Sequence, residues 1–179
     1  MTKNIIIVGQ SSSGKTTFLR TCFSGTYIEV QHANYGADFY VTNFNSNIGE
    51  QQFGILDVSA ALYTLNYVSM HGAIIMVDKS KEDFMKWVKH YTEEINKHWK
   101  DIPIIVCGSK NDLNASEIKD FSSWINSLPI SEKYPTMNSR QVTYLDVSSL
   151  NMENITKPFL LFSRHFNNNP NITFLLHKL

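Results

Sequence analysis

The sequence predicts an α/β fold built on a mostly parallel six-stranded sheet, with one antiparallel edge strand and helices on both faces. Three observations lead to this prediction. Short apolar, β-branched runs recur along the chain, as in strands that are buried on both faces. Amphipathic segments of helix length separate most of these runs, which is the pattern of βαβ units. One pair of runs is joined by only a short turn, which predicts a hairpin and therefore the antiparallel edge strand.

The first four strands follow from local patterns. The compact run NIIIV at residues 4–8 predicts a buried strand, and a polar loop separates it from a predicted helix at residues 15–23. Residues 37–57 predict a strand, a turn and a strand, because ADFYVTNFN alternates and residues 46–49 (SNIG) have turn composition. The run AIIMV at residues 73–77 predicts the next buried strand.

Helices and strands alternate through the rest of the chain. Residues 81–99 predict an amphipathic helix, and residues 102–107 (IPIIVC) predict another buried strand. Residues 115–128 predict a helix, residues 141–145 a short strand, and residues 151–166 a closing helix. Residues 167–179 then combine an Asn/Pro linker with an apolar tail. The simpler interpretation is that this tail packs back on the domain, and the alternative is that it opens a second domain.

Composition and charge exclude several classes of protein. With 42% hydrophobic residues, the 179-residue chain can build a sizeable core. Its 16 Lys+Arg balance 16 Asp+Glu, which excludes a globally basic nucleic-acid binder, so no nucleic-acid partner is expected. Cys22 and Cys107 lie in apolar surroundings and are predicted to be reduced core thiols. The sequence shows neither a signal-peptide pattern nor an apolar run of about 18 residues, so we expect a cytoplasmic protein.

The strongest functional motif is GQSSSGKT at residues 9–16, between the first strand and the first helix. It matches the phosphate-binding pattern G-x-x-x-x-G-K-[ST] and predicts a P-loop NTPase fold. Its glycines let the backbone curl so that successive amides point into one concavity, to which the helix N-terminus adds its positive dipole. Lys15 is predicted to reach the β/γ-phosphates, and the Thr16 hydroxyl to ligate Mg²⁺. The nucleotide-binding residues predicted here are Ser11, Ser12, Ser13, Gly14, Lys15, Thr16 and Thr17.

Three further motifs follow predicted strands, at the sheet edge where parallel α/β folds bind ligands. Asp57 ends the strand FGILD, where a water-mediated Mg²⁺ partner belongs. Lys110 and Asp112 lie in SKNDL, and Asp112 is suited to accept hydrogen bonds from the N1–H and the 2-amino group of guanine, which adenine does not offer. Ser148 and Ser149 lie in DVSS, whose backbone amides are suited to meet a base oxygen.

The order of the P-loop, Asp57, SKNDL and DVSS resembles that of the Ras-superfamily small GTPases over about residues 3–166. Within the superfamily, NYGADFYV resembles the Rab switch I sequence and VDKS at residues 77–80 resembles the end of the Rab fourth strand. The resemblance implies a G domain at residues 1–166 that binds GTP or GDP with Mg²⁺. It also implies that protein effectors or regulators bind two switch regions, near residues 28–40 and 57–70.

The same resemblance assigns further site residues. It implies that Tyr27 packs against the edge of the base and that Mg²⁺ is held by Thr16, Asp57 and the switch I residue Asn34. Asn34 stands where the family has a threonine, and its side-chain oxygen can still bind the ion. Ser109 stands where the family has a base-reading asparagine, which predicts one hydrogen bond fewer near the base.

Switch II departs from the family's pattern where hydrolysis is performed. Residues 57–61 read DVSAA where the family has D-x-x-G-Q. Ala60 therefore lacks the backbone freedom of glycine, and Ala61 cannot orient the attacking water. No catalytic residue is assigned. These departures predict that the protein is divergent and hydrolyses GTP very slowly. The resemblance implies a Rab-like guanine nucleotide-binding protein that acts in vesicle trafficking or signalling.

Alternatives stay open. A pseudo-GTPase interaction module, with weak or no nucleotide exchange, would share these motifs, and nucleotide released on denaturation distinguishes the two. A P-loop phosphotransferase that uses ATP is disfavoured by Asp112. No cysteine follows Cys107, so no prenyl anchor is predicted in this chain. A truncated chain, a further domain and a soluble outlier are all compatible with that ending, as is membrane association through partners or a missing C-terminal part.

Overall fold

The computed structural model describes residues 1–29, 36–58, 69–113 and 142–175. Six strands form one sheet: β1 (Lys3–Val8), β2 (Ala37–Ser46), β3 (Gly49–Val58), β4 (Gly72–Asp78), β5 (Ile104–Ser109) and β6 (Val142–Asp146). Their order is β2-β3-β1-β4-β5-β6. The β2–β3 pair is antiparallel and the other four pairs are parallel. The predicted six-stranded sheet, with one antiparallel edge strand, is confirmed.

Helices cover both faces of this sheet, as the sequence predicts. The helices described are α1 (Lys15–Ser24), α2 (Phe84–His98) and α3 (Lys157–Phe166). Because side chains alternate along β1, Ile6 and Val8 point to one face and Ile5 and Ile7 to the other. The first face packs against α2 (Phe84, Val88 and Ile95) and the second against α1 and α3 (Phe18, Leu19, Phe159 and Phe162).

Two elements begin later than the sequence predicts. β5 begins at Ile104, two residues after the predicted start, because Pro103 has no N–H to donate to a neighbouring strand. α2 begins at Phe84, since the preceding residues form a turn in which Lys81 N donates to Asp78 O at 3.1 Å. In both places local backbone chemistry shortens a segment whose hydrophobic pattern is longer.

The closing helix differs most from its predicted extent. α3 begins at Lys157, not at residue 151, because the preceding residues form turns in which Met152 and Asn154 adopt positive φ values of 57° and 55°. Pro158 then lies in the first turn of the helix, where its missing N–H costs nothing. The helix predicted at residues 115–128 lies outside the described residues. Of the helices that the structure describes, none is both long and apolar enough to cross a membrane.

The segment that follows α3 returns to the β2–β3 hairpin. The ring of Phe174 stacks on that of Phe44, with centroids 4.7 Å apart and an interplanar angle of 3°. The side chain of Ile172 is completely buried. Backbone hydrogen bonds join this segment to the end of β2 and its turn (Asn47 N to Thr173 O, 3.1 Å; Leu175 N to Asn45 O, 2.8 Å). Residues 172–175 are therefore held against the domain by apolar side chains and by backbone pairing with the end of β2 and its turn.

Candidate functional site

The loop between β1 and α1 is tightly curled at two glycines. Gly9 has a φ of 154°, and a Cβ built there would lie 2.0 Å from the carbonyl oxygen of Met76 on β4. Gly14 caps α1 with a φ of 90°, in the left-handed region that glycine adopts without strain. Between them, Ser12 has a φ of 62° and Ser13 N donates to Gln10 O at 3.2 Å. A loop with several positive φ values resembles an anion-binding nest, in which successive backbone amides point into one concavity.

Lys15 lies against this curled loop. Its side chain is buried, and Nζ donates to Gly9 O at 2.9 Å and to Gln10 O at 3.1 Å. Burial lowers the pKa of the Lys15 ammonium, and the carboxylate of Asp57 partly offsets this effect. The Ser13 hydroxyl is also buried and has no hydrogen-bond partner among the described residues. The loop thus presents an ammonium, a hydroxyl and the N-terminus of α1, which together suit a polyanion.

Thr16 and Asp57 meet beside the loop. The Thr16 hydroxyl donates to Asp57 Oδ2 at 2.6 Å, across the 41 residues that separate them in the chain. Burial raises the pKa of the Asp57 carboxyl, against the opposing effects of the Thr16 hydrogen bond and the Lys15 charge. Asp57 Oδ1 is buried without a hydrogen-bond partner among the described residues.

A hydroxyl and a buried carboxylate oxygen are ligands that Mg²⁺ accepts, usually together with substrate phosphates and waters. The pair formed by Thr16 and Asp57 therefore fits this ion. Within the described residues, no group of three or more His, Cys, Asp or Glu side chains is placed to hold a metal by itself. Asn34, the third predicted metal ligand, lies outside the described residues, as do Ala60 and Ala61 of switch II.

Ser109, at the end of β5, contacts the phosphate loop. Its buried hydroxyl lies 2.7 Å from Ser13 O and 3.0 Å from Val77 O, so its single proton is shared between two carbonyl oxygens. The sequence interpretation treated this residue only as a lost contact to the base. The structure instead shows a link from β5 to the phosphate loop and to β4.

The residues predicted to read the base lie on two neighbouring loops. Asp112, after β5, accepts a hydrogen bond at 2.6 Å from the hydroxyl of Ser148, after β6. Ser148 is buried, and its backbone forms a two-way bridge with Glu153. Ser149 follows it, partly exposed. The structure therefore brings Asp112 and Ser148, 36 residues apart in the chain, into direct contact.

Lys110 forms an ion pair with the last residue of β4. Its Nζ lies 2.6 Å from Asp78 Oδ2, and Lys110 itself has a φ of 60°. Burial alone would raise the pKa of the Asp78 carboxyl, but hydrogen bonds from Lys110 and Ser80 outweigh it and hold the pKa below its ordinary value. The side chain of Lys110 is thus tied to β4.

Sequence reasoning missed Lys79, which directly follows β4. Its ammonium is buried and donates to Asn111 Oδ1 and to Asp146 Oδ1, both at 2.8 Å. No local signal would have identified it, because a lysine that follows a strand is ordinarily solvated and both of its partners lie far along the chain.

Other predicted site residues are less enclosed. Tyr27, after α1, has 42% of its surface exposed. Ser11 and Ser12 are exposed at the tip of the phosphate loop, and Thr17 is partly exposed in the first turn of α1. These side chains are open to the solvent.

A comparison with protein families agrees with the fold and with this arrangement of motifs. The family model described as "Ras family" matches residues 4–168, which is most of the chain and includes all six strands. The match ends before the segment that packs on the β2–β3 hairpin. With a P-loop between β1 and α1 and a family match of this extent, the chain belongs to the Ras family of small GTP-binding proteins.

Proposed function

We propose that this chain is a Rab-like guanine nucleotide-binding protein of the cytoplasm that hydrolyses GTP very slowly and acts in vesicle trafficking or signalling. One observation supports it above the others. The Lys15 loop, the Thr16–Asp57 pair and the Asp112–Ser148 pair all lie at the carboxyl ends of the parallel strands, where this fold binds ligands.

On the phosphate side, Lys15 supplies a fixed positive charge and the loop amides supply hydrogen bonds. In the proposed complex, Lys15 exchanges its bonds to the Gly9 and Gln10 carbonyls for bonds to phosphate oxygens. Burial of the ammonium favours this exchange, because a charged acceptor compensates a desolvated cation better than carbonyl dipoles do. Mg²⁺ would be held by Thr16 and Asp57, together with Asn34, and would neutralise phosphate charge.

On the base side, Asp112 would accept the N1–H and the 2-amino group of guanine. The loop that carries Ser148 and Ser149 would offer backbone amides to the base oxygen, and Tyr27 would cover the edge of the base. Lys110, which completes the predicted set, ties the loop after β5, which carries Asp112, to Asp78 on β4.

The proposed Rab-like role rests on the switch I and fourth-strand resemblance and on one exposed surface. Phe39 and Val41 lie on edge strand β2, with 58% and 59% of their surfaces exposed. Phe39 lies within the predicted switch I region, near residues 28–40, and Val41 directly follows that region, so we expect a protein that contacts them to respond to that switch. Slow hydrolysis rests on Ala61, which cannot orient the attacking water.

The first test is whether protein purified without added nucleotide releases GDP or GTP when it is denatured, and whether the nucleotide-free protein binds GDP by calorimetry with and without Mg²⁺. We expect binding to GDP but not to ADP. Lys15→Met should abolish binding, whereas Lys97→Met should leave it unchanged. Lys97 is a matched control because it forms an exposed ion pair with Glu94 on α2, away from the loop.

The Mg²⁺ assignment is tested separately. Asp57→Asn should weaken GDP binding much more in the presence of Mg²⁺ than in EDTA, since it removes a proposed ligand of the ion. If the wild type neither carries nor binds a guanine nucleotide, the proposal is wrong and the pseudo-GTPase interpretation takes its place. Equal binding of ADP and GDP would overturn the selectivity assigned to Asp112.

A further inference from the structure

Lys79 is a buried charge that the fold alone does not require. It follows β4, and its side chain is 8% exposed. A desolvated ammonium is a weak source of net stability, because the cost of removing it from water offsets the attraction to its partners. A long apolar side chain at this position would stabilise the folded domain at least as much as the lysine does. The role of the charge therefore depends on what the ammonium holds in place.

The ammonium joins the two loops that carry the predicted base-reading residues. One hydrogen bond goes to Asn111 on the loop after β5, and the other goes to Asp146 at the end of β6, each at 2.8 Å. Asn111 precedes Asp112, and Asp146 lies two residues before Ser148. Lys79 thus contacts both loops one or two residues away from the Asp112–Ser148 hydrogen bond.

The groups around the ammonium are themselves held in place. Asp146 also accepts a hydrogen bond from the Tyr144 hydroxyl at 2.8 Å, and Asn111 donates through Nδ2 to Glu153 at 2.7 Å. The side chain of Asp146 is 40% exposed, so the carboxylate is reached from the solvent while the ammonium is not. The Lys79 ammonium, buried between two acceptors that are themselves hydrogen-bonded, has little freedom to move. Its position therefore fixes the positions of Asn111 and Asp146 relative to each other.

The residue at position 109 explains why the two loops depend on Lys79 for their connection. Where the family has an asparagine, this chain has a short hydroxyl whose proton is committed to the carbonyls of Ser13 and Val77. That hydroxyl ties β5 to the phosphate loop and to β4, but neither of these two hydrogen bonds reaches the loop after β6. The side-chain contacts between the loops after β5 and β6 are made by Lys79, by the Asp112–Ser148 pair and by Asn111 with Glu153. One backbone hydrogen bond, from Asn111 N to Val147 O at 3.3 Å, also joins these loops.

We propose that Lys79 is a positioning residue that holds the loops of Asp112 and Ser148 in register and so sets the discrimination of guanine from other purines. This inference rests on the proposed function, since it assigns a specificity role within the same site. Lys79 does not touch the base. It acts through Asn111 and Asp146, on the geometry with which Asp112 meets the 2-amino group.

The test compares GDP with IDP, which lacks the 2-amino group but keeps every phosphate contact. Affinities are measured by competition against a fluorescent guanine nucleotide for the wild type, Lys79→Met, Lys79→Arg and the control Lys97→Met. The wild type should prefer GDP by about tenfold, as expected for one lost hydrogen bond to a charged acceptor. Lys79→Met should weaken GDP binding by about tenfold and IDP binding much less, so that the ratio of the affinities for GDP and IDP falls. Lys79→Arg, which keeps the charge, should recover part of the preference, and Lys97→Met should retain all of it.

A second variant guards against a folding defect. Asp146→Asn removes the half-exposed carboxylate of the ion pair with Lys79, so it should lower the preference for GDP over IDP. The buried Lys79 ammonium keeps Asn111 as a hydrogen-bond acceptor in this variant. The double variant should then lose less than the sum of the two single losses, because both remove one interaction.

The outcomes separate the two claims. A wild type that binds GDP, combined with a Lys79→Met preference within twofold of the wild-type value, overturns the role of Lys79 and leaves the proposed function standing. Equal weakening of GDP and IDP also overturns it, because that result describes a structural residue. A wild type that binds neither nucleotide overturns the proposed function and this assignment together.

Discussion

The segment after α3 offers a direct test of how far the domain extends. Ile172 lies beyond residues 4–168, which match the Ras family, yet its side chain is 0% exposed. Its carbonyl oxygen accepts a hydrogen bond from Arg164 Nε on α3 at 2.9 Å. A side chain that is fully buried outside the family match must be packed by residues of this domain. We therefore propose that residues 167–175 belong to the folding unit of residues 1–166.

Ile172→Ala removes three methyl or methylene carbons from this buried position. For fully buried aliphatic side chains, such a truncation costs about 2–5 kcal/mol, made up of lost transfer free energy and the cavity left behind. We expect about 3 kcal/mol here, because neighbouring residues of a surface segment can partly close over the cavity. For a domain of this size, that loss corresponds to a fall in Tm of roughly 6–12 °C.

The assay is equilibrium unfolding in urea, followed by circular dichroism at constant nucleotide. Ile48→Ala is the matched control, because it makes the same chemical change in the nearby hairpin turn where 46% of the side-chain surface is exposed. Ile48→Ala should lower the free energy of unfolding by less than about 1 kcal/mol. If Ile172→Ala unfolds at the same urea concentration as the control, the segment is not part of the cooperative unit and the reasoning from burial is refuted.

Three further predictions concern the site. Gly9→Ala should destabilise the protein by several kcal/mol more than Gly49→Ala. Both glycines have positive φ, but only the new Cβ at position 9 would clash with backbone, 2.0 Å from Met76 O. Equal losses in the free energy of unfolding in urea would contradict this clash. In single-turnover assays, the wild type should hydrolyse GTP at or below about 10⁻⁴ per second, and Ala61→Gln should be faster; a wild-type rate above that value would mean that another residue orients the water. Asp78→Asn should destabilise the protein most near neutral pH. Because the folded pKa of Asp78 lies below its ordinary value of 3.8, the stability that it contributes is present above that value and is lost as the pH falls through the folded pKa. The difference between wild type and Asp78→Asn should therefore begin to shrink as the pH falls below 3.8 and should shrink further as the pH falls through the folded pKa. A difference that stays constant down to the lowest pH at which the protein is folded would exclude the ion pair as its cause.

The sheet and the phosphate loop were predictable because their signals are local. β1 and β4 are continuous apolar runs, and such runs indicate strands covered on both faces. The hairpin turn at residues 46–49 and the eight-residue motif at residues 9–16 are each complete within a few positions. Elements of this kind need no knowledge of what packs against them.

The links between loops were not predictable, because their partners are distant in the chain. Lys79 bonds to Asn111 across 32 residues and to Asp146 across 67. A lysine after a strand is ordinarily solvated, and no local pattern marks this one as buried. The same reason applies to the Ser109 hydroxyl, which reaches Ser13 O across 96 residues. The late start of α3 is a different case, since two positive φ values interrupt a sequence whose hydrophobic pattern is helical.

The two halves of the site should respond differently to substitution, because they are held together by different forces. The proposed phosphate side is built largely by the backbone geometry of residues 9–16, whereas the proposed base side depends mainly on side-chain hydrogen bonds between the loops after β5 and β6. Ser109 lies where the halves meet, since its hydroxyl bonds to Ser13 O on the phosphate loop. Ser109→Ala should therefore weaken the binding of GDP and the binding of inorganic pyrophosphate, each by about tenfold, because one buried hydrogen bond is lost. Lys79→Met should leave pyrophosphate binding unchanged, since its contacts end at the base-side loops. If both variants weakened pyrophosphate equally, the site would be one coupled unit and the separation of phosphate affinity from base selectivity would not hold.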